Sequence, residues 1–138
     1  MSDDNPAMAV LDASALLALV HEEAGADRVE RAIRQRALIS TINWAEVLSD
    51  LVERGEVVEH AVSRVKQLVM KVGTLDLVSL DEGQAEQAAR LRATTRSLGL
   101  SLADRACLAL GRIHRLPVLT TDRAWRSLHL SIKIEVIR

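Results

Sequence analysis

Apolar and polar positions along the 138 residues fall into two alternating kinds of pattern. Short, nearly continuous apolar runs occur at Met8 to Leu11, Ala37 to Ile39, Leu75 to Leu80 and Val118 to Leu119. Their length and apolar character fit strands packed under helices, with Leu75 to Leu80 alternating before it becomes continuous. Between them, apolar residues recur every three or four positions, as in an amphipathic helix. Ala15 to Val20 reads as a buried helix, and Val29, Ala32 and Ile33 form a narrow stripe on a second, from Ala26 to Arg36. Leu48, Leu51 and Val52 line a third, and Val58, Ala61, Val62, Val65, Leu68, Val69 and Val72 a fourth. The last run, Ile132 to Ile137, alternates strictly and predicts a half-exposed edge strand. The predicted order is β-α-α-β-α-α-β-α-α-β-α-β. Strands separated by helices require crossover connections, so the fold class is α/β with a central, mainly parallel sheet of four to five strands.

Local signals set the boundaries. Asn43 followed by Glu46, Asp81 by Gln84 and Ser101 by Asp104 each place a capping side chain three residues ahead of a reciprocal partner. The last of these predicts a helix running to about Arg115, which Pro117 prevents from continuing. Asp122 is placed to cap a short helix reaching about Leu128. Residues 1–7 are expected to form a disordered leader, and 8–138 one domain of a size that supports a proper core.

Composition narrows the function classes. No stretch approaches the roughly 20 apolar residues of a membrane span. The acidic start lacks the basic and apolar regions of a secretory signal, and the single cysteine, Cys107, excludes an internal disulfide. The expectation is a soluble, cytoplasmic protein with no membrane partner. Eighteen Lys and Arg against nineteen acids leave a net charge of −1, so no globally basic body holds nucleic acid by charge alone. Arginines do concentrate locally, at Arg28, Arg31, Arg34 and Arg36, and at Arg105, Arg112, Arg115, Arg123 and Arg126; solvated helix faces account for them. With no Phe or Tyr and only Trp44 and Trp125, a row of stacking aromatics for RNA is absent from the sequence. Both tryptophans are expected in core or rim packing, Cys107 in the core, and the four histidines in surface or local roles.

Four carboxylates stand out from this background. Asp12 and Asp122 end apolar runs, where a parallel sheet gathers its ligand site. Glu46 and Asp104 open helices that would descend from the same edge. Each has an ordinary explanation as a helix cap or a partner of the helix dipole. Together they would repel one another, and a divalent cation would relieve the repulsion. An all-oxygen donor set without Cys or His suits Mg²⁺ or Mn²⁺ rather than zinc, and such sites act on phosphodiesters.

The segments around these residues are Val10-Leu-Asp12-Ala-Ser14, Ile39-Ser-Thr-Ile-Asn-Trp-Ala-Glu46, Leu100-Ser-Leu-Ala-Asp104-Arg-Ala and Leu116-Pro-Val-Leu-Thr-Thr121-Asp122. In that order they resemble the PIN-domain family, and within it the VapC toxins of toxin–antitoxin pairs. The resemblance implies a three-layer α/β/α sandwich and a Mg²⁺- or Mn²⁺-dependent endoribonuclease. It implies that Asp12, Asp104 and Asp122 hold the metal, and that Glu46 positions the metal or the attacking water. Ser14 and Thr121 would orient the carboxylates, or serve only as caps. The implied partners are a VapB-type antitoxin, a structured RNA such as tRNA, and a second copy of the chain in a homodimer. A catalytically inactive PIN scaffold, or a Mg²⁺-dependent phosphotransfer domain, would share part of the pattern. The latter needs a lysine after a later strand, and none is found.

Overall fold

The computed structural model describes residues 6–138. The first five residues of the expected leader lie outside the described residues. Five strands, β1 (Ala9–Leu11), β2 (Ala37–Ser40), β3 (Leu75–Val78), β4 (Val118–Thr120) and β5 (Ile134–Val136), form one sheet in the order β3-β2-β1-β4-β5. Every pairing is parallel, with Val10 opposite Leu38 on one side and Val118 on the other. The expected four to five mainly parallel strands are five and wholly parallel.

Strand periodicity sends alternate residues to opposite faces, and two cores result. Ala9, Leu11, Ala37, Ile39 and Leu119 face α1 (Ala13–Val20), α2 (Ala26–Gln35), α3 (Thr41–Glu53) and α4 (Val58–Val72). Val10, Leu38 and Val118 face α5 (Glu82–Thr95) and α6 (Leu102–His114), with Cys107, Leu108, Trp125 and Ile132. Because β1 and its neighbours are covered on both sides, their sequences are apolar without alternation. The result is the α/β/α sandwich.

Most boundaries follow the sequence signals. Asp81 accepts from the Gln84 amide, and Ser101 and Asp104 form a full reciprocal capping box. One expected cap is corrected. Ser40, not Asn43, caps α3, accepting from the Ile42 amide at 3.4 Å, because β2 passes into α3 with no intervening loop. Asn43 lies inside the helix and is fully buried. Arg105 departs from the expected solvated arginines: it is buried, and its Nη1 donates to the Ala88 carbonyl at 2.9 Å, tying α6 to α5.

Gly73 ends α4 against the backbone of α2, so that a Cβ there would fall on the Ile33 carbonyl oxygen and the Arg34 Cα. Neither is the movable end of a side chain. Gly73→Ala should therefore lower stability by about 1–3 kcal/mol through overpacking, read as a lower denaturant midpoint. A midpoint equal to the parent's would show that α4 shifts without cost.

Candidate active site

The chain runs from β1 outward through β2 to β3, then crosses back to β4 on the other side of β1. The carboxyl ends of β1 and β4 therefore flank the point where the winding direction reverses, which in open α/β sheets opens a crevice. Asp12 follows β1, and Asp122 follows β4 after one intervening residue. From the two helix layers, α3 brings Glu46 and α6 brings Asp104 to the same edge. All four line one open pocket of about 310 Å³, together with Ala13, Ser14, Leu17, Asp50 and Trp125.

Asp12 is the most constrained of them. It caps α1, and its side chain is only 6% exposed. Oδ1 accepts from the Ser14 hydroxyl at 2.7 Å and the Ala15 amide at 2.8 Å, and Oδ2 from the Thr120 hydroxyl at 2.6 Å. The two hydroxyls in turn accept backbone amides, Ser14 from Thr121 at 3.0 Å and Thr120 from Asp122 at 3.1 Å. Each hydroxyl has one proton and spends it on Asp12, so both relays run in one direction. The turn after β4 is thereby stitched to the start of α1, which fixes where Asp122 stands. Burial pushes the Asp12 carboxyl up to about 6, against the three hydrogen bonds, and the Asp104 charge adds to the rise.

Of the other three carboxylates, Asp104 and Asp122 are held at their own helix starts and Glu46 by a neighbour within α3. Asp104 accepts from the Ser101 amide at 3.0 Å, Asp122 from the Ala124 amide at 3.0 Å, and Glu46 from Asn43 Nδ2 at 3.2 Å. Each of these bonds uses one oxygen. Glu46 is more exposed than Asp12, yet partial burial raises its carboxyl as well; the Asn43 bond opposes the rise and the Asp104 charge reinforces it.

Of the two polar neighbours singled out by the sequence, Ser14 donates its hydroxyl to Asp12. Thr121 takes part through its amide alone, and the hydroxyl on the carboxylate belongs to Thr120, which the sequence reading passed over. Asp50 was also missed. It stands one helical turn after Glu46, a spacing that puts both on one face, and it pairs with His21 at 3.3 Å and Arg54 at 2.9 Å.

Five carboxylates and no Lys, Arg or His line this pocket, and its buried Asp12 has no cationic partner. That donor set fits a hard divalent cation. Among the described residues, no three or more Asp, Glu, His or Cys side chains are gathered closely enough to enclose a metal ion. Two larger hollows exist, of about 440 Å³ between α1, α2 and α4 and about 390 Å³ beside β3 and α4. The first is also acidic, lined by Glu22, Glu23, Asp27 and Glu30, but Glu23 and Glu30 are paired with Arg138 and Arg34, and none of the four follows a strand; the second carries no carboxylate. No helix among the described residues is long and apolar enough to cross a membrane.

The PIN-domain family model matches residues 9–129, a span that includes all four carboxylates. The chain belongs to the PIN-domain family. No curated protein matches the sequence. Among solved structures, this PIN domain is similar to a chain of a toxin–antitoxin complex from Klebsiella pneumoniae, with 22% identity, a TM-score of 0.66, and 91% of this chain and 99% of that chain covered. It is likewise similar to a chain of DNA-bound VapBC from Salmonella typhimurium, at 18% identity and a TM-score of 0.70 over 93% and 96% of the two chains. A chain of VapBC2 from Rickettsia felis, bound to a fragment of its promoter DNA, aligns at 14% identity with a TM-score of 0.69, over 93% and 97%. At these identities the likeness is one of fold.

Proposed function

We propose that this PIN domain is a divalent-metal-dependent endoribonuclease, the VapC-type toxin of a toxin–antitoxin pair. The observation that carries the reading is the convergence of Asp12, Glu46, Asp104 and Asp122 in one pocket at the reversal point of the sheet. Membership in the family, and fold likeness to chains of toxin–antitoxin complexes, support it.

Asp12, Asp104 and Asp122 would hold Mg²⁺ or Mn²⁺, with Glu46 beside them. When bound, the cation supplies a Lewis acid for the phosphodiester and acidifies a water. The protein's own part is to present these oxygens. Asp12 is pinned by Ser14 and Thr120, Asp104 by Ser101, and Asp122 by the amide of Ala124. Glu46, with one oxygen on Asn43, has its other oxygen to orient the attacking water and take its proton. The water oxygen bonds to phosphorus, the bond to the 3′ oxygen breaks, and the departing oxygen takes a proton from solvent water in the open pocket and leaves as a hydroxyl. The products carry a 5′-phosphate and a 3′-hydroxyl. A structured RNA such as tRNA is the proposed substrate, a VapB-type antitoxin the inhibitor, and a homodimer the working form, in the cytoplasm.

The test is incubation of antitoxin-free protein with total cellular RNA in Mg²⁺, in Mn²⁺ and in EDTA, followed by sequencing of the RNA ends. Discrete cuts that require the metal are expected. A folded protein that cuts no RNA in either metal would leave a binding scaffold as the better description.

A further inference from the structure

Asn43 lies in α3 and has no solvent exposure. Its Nδ2 donates to two acceptors, Glu46 Oε1 and the Ala103 carbonyl, each at 3.2 Å. The first acceptor is a carboxylate of the pocket. The second is in the first turn of α6, beside Asp104. α3 and α6 pack on opposite faces of the sheet and meet only beyond its carboxyl edge, so Asn43 joins the two layers where the pocket opens.

The other end of the amide is informative. Asn43 Oδ1 is buried and has no partner among the described residues. A buried acceptor without a donor costs stability, and an apolar side chain of similar size would remove that cost. Packing therefore gives no reason for an amide here, while the donating end has two well-defined tasks. Glu46 and Asp104 are like charges on separate helices, and both line the pocket.

We propose that Asn43 is a positioning residue, whose two N–H groups clamp the Glu46 carboxylate to the first turn of α6 so that Glu46 and Asp104 are presented together. The proposal rests on the metal-dependent reading of the pocket. It assigns to Asn43 no contact with substrate. Its work is to hold two mutually repelling carboxylate-bearing segments together before any cation arrives.

The test compares the whole antitoxin-free protein with Asn43→Val, which fills the space without donating, and with Asn43→Ser, which is too short to reach both acceptors. Four quantities are measured: the melting temperature in EDTA, Mn²⁺ affinity from the electron paramagnetic resonance of free Mn²⁺, and kcat and KM on cleaved RNA. Asn43→Val should melt within a few degrees of the parent, because relief of the orphan Oδ1 offsets the two lost bonds, while Mn²⁺ affinity and kcat each fall by roughly 10–100-fold. KM should stay within about twofold, since substrate binding is not its task. A folded variant with the parent's Mn²⁺ affinity and kcat would overturn the clamp, as would losses that merely follow a lowered melting temperature. Failure of both variants to fold would assign Asn43 to the core and overturn it equally. A parent that binds Mn²⁺ but cuts no RNA sinks the nuclease reading alone, and the Mn²⁺ comparison still decides the clamp. A parent that neither binds Mn²⁺ nor cuts removes both.

Discussion

Asp104→Asn should leave RNA uncut at protein concentrations where the parent cuts within minutes, with initial rates down by at least about 10³-fold, since metal stabilisation of charge is worth several kcal/mol. The substitution is chosen because the fold can accept it. The Asp104 oxygen that completes the capping box accepts from the Ser101 amide, and an asparagine oxygen can accept the same bond. The Ser101 hydroxyl still caps the Asp104 amide from the other side. The helix start is retained, so the melting temperature in EDTA should stay within a few degrees of the parent's. Loss of cleavage with an unchanged melt assigns the effect to the missing charge. Full activity in Asp104→Asn would place the chemistry elsewhere.

The second large effect concerns stability. Burial raises the Asp12 carboxyl from 3.8 to about 6, so the folded protein holds this proton more tightly than the unfolded chain does. A raised value contributes stability that is fully present below about pH 4 and is lost as pH rises through about 6. Over that window the loss amounts to at most about 3 kcal/mol, given 1.36 kcal/mol per pH unit. Asp12→Asn removes the dependence. In EDTA at pH 7.5 the variant should therefore be the more stable protein, by up to about 10 °C in melting temperature, and the difference should vanish toward pH 4. The full figure is a ceiling, because the asparagine nitrogen must face the Ser14 or Thr120 hydroxyl, which then has to accept. Added Mn²⁺ should raise the melting temperature of the parent and leave that of the variant nearly unchanged. A variant that is less stable at pH 7.5 and at pH 5 alike would mean that the three donors outweigh the burial.

How far the sequence carried these conclusions depended on whether each signal was local. The strands were legible because a buried parallel strand has no polar face, and Asp12 and Asp122 were legible because they end such runs. The helix start with its own reciprocal partner, Ser101 with Asp104, is legible for the same reason, as is Asp81 as a cap, although the Gln84 side chain turns to the Ser79 carbonyl and not back to Asp81. Asn43 has capping chemistry and a glutamate three residues later, but it lies inside the helix and donates both to that glutamate and to Ala103, sixty positions away. Ser40 was hidden by being the last residue of a strand and a cap at once. Thr120 and Thr121 are adjacent and chemically alike, and only the strand's alternation decides which hydroxyl turns toward Asp12. Arg105 was taken for a solvated residue because nothing in its neighbourhood in sequence announces the Ala88 carbonyl.

The central strand has a consequence for the order in which the protein comes into being. β1 is paired on one side by β2, which follows it closely in the chain, and on the other by β4, more than a hundred residues later. Asp12 is buried under the hydroxyl of Thr120, and Asp122 arrives with the same late segment. During synthesis, β1, β2, β3 and α1 to α5 emerge from the ribosome before the second half of the pocket exists. Until then the Thr120 hydroxyl that covers Asp12 is missing, and the carboxylates have no common pocket to line. A nascent chain at that stage, or one terminated there, therefore lacks Asp104 and Asp122, and with them half of the proposed nuclease site.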